Sequence, residues 1–234
     1  MLTMAVPEDA SSYLQLISLA VHEFRTPASV VAGYLRMLQR ADQPLSDRQR
    51  KMIEEAERSV ERLSALVAEL SEIQKLDAER IEPRPQTFDV FTLVADVASG
   101  VHESDDRGVL FEVRGQPDGG QMRGDSTRMQ RAFSAIFRAI LREMPPGTTV
   151  VADRRLESAG ATRSAVVVVA TESNVQSSYS AAPAPLDEMR GGLGLALPFA
   201  RRVIERHGGR VWSPAGDRRP AAAIVSLPLP ELQR

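Results

Sequence analysis

The sequence predicts two domains, an N-terminal antiparallel pair of long helices and a C-terminal α/β sandwich. Three observations predict this arrangement. Apolar residues recur at alternating steps of three and four in two segments of the first third of the chain. The polar stretch "ERIEPRPQ" (79–86), with two prolines, ends that rhythm, and short strand-like segments then alternate with helical ones. With 234 residues, 43% of them hydrophobic, the chain is long enough to bury a core in each domain.

The first helix is predicted from an unbroken heptad seam. Steps of three and four that alternate without a fault are typical of a helix that packs along another helix over its whole length. The seam consists of Leu14, Ile17, Val21, Phe24, Ala28, Val31, Leu35 and Leu38.

The second helix begins after "DQPLSD", where Ser46 is followed three residues later by Gln49, the signature of a capping box. Its seam consists of Ile53, Ala56, Val60, Leu63, Val67 and Leu70. Two seamed helices joined by a short loop form an antiparallel hairpin. A lone hairpin leaves part of its apolar surface exposed, so we expect two copies of the chain to pair into a four-helix bundle.

The second domain is predicted from segments of strand and helix character that follow the linker. The expected domain bounds are a tail at 1–8, the hairpin at 9–79, a linker at 80–87 and the sandwich at 88–234. The Ser/Ala/Pro-rich stretch 173–187 is expected to be a mobile loop. Strands are expected near Phe88, at 109–114, 148–154 and 165–170, near Val211 and at 224–227, and helices at 90–101, 125–143 and 193–207.

Composition excludes several classes of function. The net charge is −2 and no basic cluster stands out, which argues against binding to nucleic acid. The absence of cysteine excludes disulfides and thiolate metal sites. No apolar run approaches the roughly 20 residues of a membrane span, and no signal-peptide pattern precedes Asp9. We therefore expect a cytoplasmic chain without a membrane segment.

The heptapeptide "VHEFRTP" (21–27) places reactive side chains just outside the first seam. An imidazole with a pKa of about 6.5 is a nucleophile near neutral pH, and His22 is expected to face water. Thr26 lies one turn later on the same face, and the adjacent Glu23 can accept a ring proton. Pro27 removes one helix hydrogen bond and predicts a bend. The alternative is that Thr26 caps a new helix with Pro27 at its first position, which leaves His22 as an idle surface residue.

The segment "HEFRTPASVVAGYLRML" resembles the H-box of sensor histidine kinases, and "ERLSALVAELSEIQKLDA" is similar to the second helix of their dimerisation and histidine phosphotransfer domain. The resemblance spans residues 12–78. It implies that His22 is the phosphoacceptor, that Glu23 assists phosphotransfer, and that Thr26 positions water when a member acts as a phosphatase. The implied partners are a second copy of the chain, the receiver domain of a response regulator, and an upstream sensor or kinase.

The second domain resembles the ATP-binding domain of the same family, a GHKL-type sandwich with the Bergerat ATPase fold. The segment "RGGLGLALPFARRVIERHGGRVW" (190–212) is similar to the glycine-rich box. The resemblance assigns Gly192, Leu193 and Gly194 to nucleotide binding, at a helix start where backbone amides can meet phosphate. Arg190 stands where the family usually has a further glycine.

Other family motifs are eroded in this domain. Thr171 falls where the family has the aspartate that binds the adenine amino group. The helix "DSTRMQRAFSAIFRAILRE" (125–143) places Ala135 and Ala139 where the family has two asparagines. Mg²⁺ bound to nucleotide phosphates requires oxygen ligands, which a methyl group does not supply. No other protein-held metal is expected, and binding of ATP with Mg²⁺ is expected to be weak or absent.

Three functional hypotheses remain. The favoured one is a two-component protein that exchanges phosphate between His22 and a response-regulator aspartate, or removes that phosphate, beside an eroded ATP site. The second is an active ATP-dependent sensor histidine kinase with divergent nucleotide motifs. The third is a non-catalytic dimeric regulator. No sensor segment is recognisable, so the input comes either from a longer receptor or from a partner docked on the first helix.

Overall fold

The computed structural model describes residues 8–39, 45–77, 86–103, 105–159, 162–215 and 221–230, with the backbone alone at residues 8–20, 22, 23 and 159. The chain divides into two compact units, 1–81 and 82–234. The predicted tail (1–8) and linker (80–87) lie mostly outside the described residues; Glu8 begins the first helix and Gln86 begins the first strand.

The first unit is a pair of long helices, α1 (Glu8–Gln39) and α2 (Asp47–Asp77). Helix α1 continues through Pro27, so Thr26 lies inside the helix and does not cap a new one. The predicted capping box of α2 is confirmed. The Ser46 backbone N–H donates to Gln49 Oε1 at 2.9 Å, and the Gln49 backbone N–H donates to Ser46 Oγ at 3.3 Å.

Within one chain the predicted seam of α1 separates into two stripes. Val21 and Ala28 are 5% and 4% exposed and form a buried stripe. Phe24, Val31 and Leu38 alternate with them and remain 55%, 45% and 51% exposed. The side chains of Leu14 and Ile17 lie outside the described residues. Of the seam positions whose side chains the structure describes, a single hairpin therefore buries Val21 and Ala28 and leaves Leu35 only partly buried.

The described strands of the second unit are β1 (Gln86–Asp89), β2 (Leu110–Gly115), β3 (Gln121–Gly124), β4 (Thr149–Ala159), β5 (Thr162–Thr171), β6 (Pro183–Ala184), β7 (Arg210–Pro214) and β8 (Ala223–Leu229). They form a six-stranded sheet in the order β2-β4-β5-β8-β7-β6 and a two-stranded antiparallel sheet of β1 and β3. Strand β2 runs parallel to β4, and the other pairs in the large sheet are antiparallel. The helices are α3 (Val90–Ser99), α4 (Ser126–Arg142), α5 (Val175–Ser180) and α6 (Ala196–Arg206).

Helices α3, α4 and α6 cover one face of the large sheet. The ring of Phe137 on α4 contacts the ring of Phe111 on β2 edge to face, with centroids 5.0 Å apart. Phe133 and Phe137 are both fully buried, so the main core lies between these helices and the sheet. The opposite face carries a smaller apolar cluster in which Val175 of α5 packs with Val168 of β5 and Ile224 of β8.

The segment 173–187 differs from the sequence-based expectation of a mobile loop. It contains the end of a short 3₁₀ helix, then α5, then β6, which pairs with β7 at the edge of the sheet. Val175 and Tyr179 supply the apolar contacts that hold α5 against the sheet. These two residues are spaced one turn apart among small polar residues, so the segment carries a short amphipathic pattern that its overall composition hides. Strand β3 was also not predicted.

Candidate functional site

The predicted phosphoacceptor position lies in the middle of α1. Val21 and Ala28 mark the buried stripe of the helix, whereas Thr26 and Pro27 are exposed. Because residues four apart in a helix share a face, the continuous helix places the backbone of His22 one turn before Thr26 on the same side. The side chains of His22 and Glu23 lie outside the described residues.

The other two histidines have different environments. His207 ends α6, where its Nδ1 donates to the Val203 carbonyl at 2.7 Å and its Nε2 accepts from the Asp125 backbone N–H at 3.0 Å. Gly124 permits this approach, because a Cβ at that position would lie 2.4 Å from His207 Nε2. Both ring nitrogens thus have protein partners, and Nε2 joins the end of α6 to the residue that precedes α4. His102 is exposed, with Nδ1 3.2 Å from Asp105 Oδ2.

Asp125 caps the N-terminus of α4 and pairs with Arg128. Asp125 Oδ1 accepts from the Arg128 backbone N–H at 2.9 Å, and Asp125 Oδ2 pairs with Arg128 Nη1 at 2.6 Å. A carboxylate at a helix N-terminus satisfies amides that have no partner within the helix. These two residues therefore stabilise the N-terminus of α4, and this role does not require a bound nucleotide.

Thr171, at the position assigned to adenine recognition, is the last residue of β5. Its hydroxyl lies 3.3 Å from Ser173 Oγ. The nearest carboxylate along the chain, Glu172, pairs instead with Arg114 on β2, Oε1 to Nη2 at 2.6 Å. The site of the family aspartate is therefore occupied by two hydroxyl groups, and the neighbouring acid is directed to another strand.

Ala135 and Ala139, at the positions of the family asparagines, are 7% and 1% exposed. Gly191, at the start of the glycine-rich segment, lies directly against Ala139. A Cβ built at Gly191 would lie 2.8 Å from the Cα of Ala139 and 3.0 Å from its carbonyl oxygen. Gly191 also has φ +68°, which favours glycine. The glycine-rich loop, defined here as residues 190–195, thus packs on α4 backbone to backbone.

Two charged residues at the end of α4 contact this loop from both sides. Glu143 Oε1 accepts from the Gly191 backbone N–H at 3.2 Å, and Arg142 Nη1 donates to the Gly191 carbonyl at 3.2 Å. Arg190, only 5% exposed, places its Nε 3.2 Å from Glu143 Oε2 and donates from Nη1 to the Ala222 carbonyl at 3.3 Å. The arginine at the position of a family glycine is therefore a buried ion-pair partner of α4.

Glu103 orients the arginines on the exposed side of α4. It pairs with Arg142 and, through Oε2, with Arg138 Nε at 2.9 Å. The hydrogen bond from Arg142, and the second from Arg138, hold the pKa of Glu103 below its ordinary value. Sequence reasoning missed Glu103, Arg142 and Glu143; the only signal was the charged end of the α4 segment, "LRE" (141–143).

The segment after Thr171 is anchored on the sheet face opposite α4. The Tyr179 hydroxyl donates to Asp153 Oδ2 at 2.8 Å, and the Arg155 guanidinium lies 3.8 Å from the centre of the Tyr179 ring. Burial, assisted by Asp153, raises the pKa of Tyr179, so this phenol stays protonated and acts as a donor. The chain between Thr171 and the glycine-rich loop is thus anchored on the sheet through α5 and β6.

A cavity of about 570 Å³ lies beside the β6–β7 edge. Its polar lining includes Asp187, Glu188 and the buried Arg190. Glu188 pairs with Arg201 of α6, and Asp187 Oδ1 accepts from the Met189 backbone N–H at 3.1 Å. The lining groups therefore already have protein partners.

Two further observations concern metals and membranes. Within the ranges that the structure describes, His, Asp and Glu side chains form no group of three or more suited to holding a metal ion. None of the described helices combines the length and the apolar character required to cross a lipid bilayer.

The helical hairpin matches a known family. Residues 12–79 match the His Kinase A (phospho-acceptor) domain. The chain is 24% identical over 220 residues to the sensor protein DivL of Caulobacter vibrioides, covering 91% of this chain and 27% of DivL. It is 26% identical over 219 residues to the sensor-like histidine kinase SenX3 of Mycobacterium tuberculosis, covering 90% of this chain and 52% of SenX3. The chain thus spans about half or less of the length of these relatives.

Solved structures share the fold of the chain. Full-length ShkA in complex with AMPPNP superposes with a TM-score of 0.66 at 19% identity, covering 94% of this chain and 46% of ShkA. The histidine kinase ThkA, solved in complex with the response regulator protein TrrA, gives a TM-score of 0.56 at 19% identity, covering 97% of this chain and 65% of ThkA. At these identities the likeness concerns the fold alone.

The fold and the family matches define a class of protein, a phospho-acceptor helical hairpin joined to an α/β domain of the kind found in histidine kinases. The helical hairpin at 12–79 therefore matches the phospho-acceptor domain of histidine kinases, and about nine-tenths of the chain is similar in sequence to sensor proteins and sensor-like histidine kinases.

Proposed function

We propose that the chain carries phosphate on His22 and exchanges it with the aspartate of a response-regulator receiver domain, or removes it from that aspartate, while its second domain binds ATP weakly. In this proposal residues 9–79 form the dimerisation and phosphotransfer domain and residues 88–234 form an ATP-binding-like domain. The observation that carries the proposal is the contrast between α1, which continues as a helix through Pro27, and α4, which has buried alanines at the positions of the two family asparagines.

The nucleotide part of the proposal rests on Ala135, Ala139 and Gly191. The two alanines supply no oxygen ligand for Mg²⁺, and the Gly191 backbone occupies the space beside Ala139. Phosphoryl transfer from ATP depends on neutralising the charge of the phosphates, largely by the metal. Gly192, Leu193 and Gly194 can still offer backbone amides to a phosphate, and Thr171 can still offer a hydroxyl, so weak metal-independent nucleotide binding is compatible with the proposal.

The partners in this proposal are a second copy of the chain, a receiver domain and an upstream sensor or kinase. The exposed stripe of Phe24, Val31 and Leu38 supports the homodimer, because two such stripes can cover one another in a four-helix bundle. The complex of ThkA with TrrA supports a receiver domain as the phosphate partner.

The chemistry requires one nucleophile and one orienting group. In the exchange reaction a ring nitrogen of His22 attacks the phosphorus of the aspartyl phosphate; an N–P bond forms, the O–P bond breaks, and the regulator carboxylate leaves. Glu23 would accept a hydrogen bond from the other ring nitrogen and stabilise the imidazolium character that develops. In the hydrolytic reaction water attacks the same phosphorus, and Thr26 would orient that water through its hydroxyl.

The proposal is tested with receiver domains that have been phosphorylated with radiolabelled acetyl phosphate and then freed of the donor. The wild-type chain should acquire acid-labile label or accelerate loss of label from one receiver domain. His22→Ala should abolish label on the chain, whereas the matched variant His102→Ala, at an exposed histidine, should not. Transfer to the His22→Ala chain would contradict the assignment. The absence of both transfer and dephosphorylation across every receiver domain of the source organism would favour the non-catalytic regulator.

The active autokinase is separated from this proposal by a second incubation, with radiolabelled ATP and Mg²⁺ alone. Label that appears on His22 at a rate typical of working kinases would show that the divergent nucleotide motifs still function. We expect label to be undetectable or to accumulate very slowly, because alanines stand at the positions of the two family asparagines and supply no side-chain oxygen to Mg²⁺.

A further inference from the structure

Arg25 is the one charged residue of the heptapeptide 21–27 that has no role in the proposed chemistry. Its side chain is exposed and forms no ion pair with any side chain that the structure describes. Helix α1 contains two arginines and no lysine, and the second arginine is Arg36. Arg36 lies about 21 Å from His22 along the helix axis, and its Nε donates to the Ala32 carbonyl at 3.3 Å. Arg25 is therefore the one lysine or arginine of α1 that lies close to His22.

The helix register places Arg25 and Thr26 on either side of the position of His22. Residues three and four positions apart are neighbours on a helix surface, and α1 is continuous through Pro27, so this register holds across the segment. The Cα–Cβ bonds of an α-helix tilt toward its N-terminus, so Arg25 and Thr26 start back toward the turn that carries His22. Both residues are exposed, which leaves their polar groups available to a group bound at position 22.

The chemistry proposed for His22 requires a positive group at this place. A protein-bound phosphoryl group carries between one and two negative charges near neutral pH, and its transfer depends on neutralising the charge on its oxygens. Glu23 is an acid, so it adds to the negative charge beside His22. A guanidinium presents its N–H donors in a planar fork that matches two phosphate oxygens, and it stays protonated throughout the physiological pH range. Arg25 has the chemistry that the transfer needs and that Glu23 and Thr26 lack.

We propose that the Arg25 guanidinium binds the phosphoryl group on His22 and neutralises its oxygens while the group passes between His22 and the receiver aspartate. This inference rests on the proposed phosphate transfer at His22 and adds the residue that carries the compensating charge. The bonds are those of the exchange described above: the N–P bond to His22 forms, the O–P bond to the aspartate breaks, and the regulator carboxylate leaves. Arg25 donates hydrogen bonds to the phosphoryl oxygens and keeps its protons.

The contact is tested on the full chain after His22 has been phosphorylated with potassium phosphoramidate, a donor that needs neither ATP nor a regulator. The imidazole attacks phosphorus, an N–P bond forms, the donor's own N–P bond breaks, and ammonia leaves. The phosphorus NMR signal of interest is the one that His22→Ala lacks. A neighbouring cation favours the more negative phosphoryl form, so the midpoint of its pH titration should be lower in the wild type than in Arg25→Gln. The expected difference is about 0.2–0.7 pH unit, as for an exposed ion pair.

Two further variants separate the charge of Arg25 from other effects. Arg25→Lys keeps the charge and should titrate close to the wild type, whereas Arg36→Gln removes an arginine of the same helix about 21 Å away and should titrate like the wild type. Gln, Lys and Arg have similar helix propensities, so the helix should be retained in all three variants. Equal midpoints in the wild type and Arg25→Gln overturn the contact. An equal shift in Arg36→Gln would show a general effect of net charge and also overturns it.

The second measurement is the rate of phosphate transfer from a labelled receiver domain to the chain. Arg25→Gln should lower the first-order rate constant at saturating receiver domain about tenfold, roughly the factor for one lost hydrogen bond to a charged group, and Arg25→Lys should recover part of the loss. A change confined to the half-saturating concentration would show that Arg25 only binds the receiver domain, and it overturns the role in transfer. The titration uses no receiver domain, so failure of the Arg25 contact is distinguishable from failure of the proposed exchange.

Discussion

Ala139→Asn restores the residue that the histidine kinase resemblance expects and places it where the structure has no room. Ala139 is 1% exposed, and the Gly191 backbone lies against its Cα and carbonyl oxygen. The asparagine adds three heavy atoms, and overpacking of this kind costs about 1–3 kcal/mol. An amide buried without a full set of partners costs about 1–3 kcal/mol more. We therefore expect Ala139→Asn to lower the free energy of unfolding of the second unit by about 2–6 kcal/mol.

The assay is urea unfolding followed by tryptophan fluorescence. The chain has a single tryptophan, Trp212, which lies on β7 and packs on the apolar cluster of the outer sheet face, so the signal reports the second unit. The matched control is Ala95→Asn in α3, at a partly exposed position, where the helix-propensity cost is below about 1 kcal/mol. If Ala139→Asn costs no more than Ala95→Asn, the close packing around position 139 is refuted. The double variant Ala135→Asn with Ala139→Asn should strengthen Mg²⁺-dependent nucleotide binding, because it restores two oxygen ligands, and Thr171 should limit the gain.

Three further predictions concern the dimer, the acid response and the capping box. Val31→Glu, at a position 45% exposed in one chain, should yield a folded monomer by light scattering, because it places charges in the core of the four-helix bundle. The control Ser29→Glu, on another face of α1, should remain dimeric. A wild-type chain that is monomeric at micromolar concentration would refute the bundle. Because the folded pKa of Glu103 lies below its ordinary 4.5, the stability that it contributes is present above that value and is lost as the pH falls through the folded pKa. The difference in melting temperature between wild type and Glu103→Gln should therefore be larger at pH 7 than at pH 3, and an equal difference at both would refute the link. Ser46→Ala should destabilise the hairpin by about 1 kcal/mol in thermal unfolding followed by circular dichroism, because it removes the capping hydroxyl of α2. The control Ser64→Ala, in the middle of α2, should have a smaller effect. Equal effects of the two substitutions would count against the capping box.

The helical hairpin could be predicted because its signals are local. The heptad steps fix which side of α1 is apolar, and Ser46 with Gln49 fixes where α2 begins, within four residues of sequence. The sequence did not predict that Val21 and Ala28 pack within one chain while Phe24 and Val31 stay exposed. Heptad periodicity is the same whether the partner helix belongs to the same chain or to another, so it cannot divide the seam between them.

The sequence alone showed which ligands the candidate nucleotide site lacks, but it did not show which contacts the neighbouring residues make instead. Ala135 and Ala139 could be read directly as missing oxygen ligands. The contacts from Arg142 and Glu143 to residues 190–191 join positions almost fifty residues apart, and neither partner carries a local pattern that points to the other. The sequence likewise places His207 at the end of a helix. The hydrogen bond from the Asp125 backbone N–H to its ring is a long-range contact that no local pattern predicts.

The most direct test of the account compares two phosphate donors for the same histidine. Wild-type chain is incubated either with radiolabelled ATP and Mg²⁺ or with a labelled receiver-domain phosphate, and label on His22 is quantified against the His22→Ala chain. With the receiver domain as donor, the account predicts that label appears on His22 or that the chain accelerates loss of label from the receiver domain. With ATP as donor, it predicts little or no label on His22. Rapid labelling of His22 by Mg²⁺–ATP, together with tight Mg²⁺-dependent ATP binding by calorimetry, would contradict it.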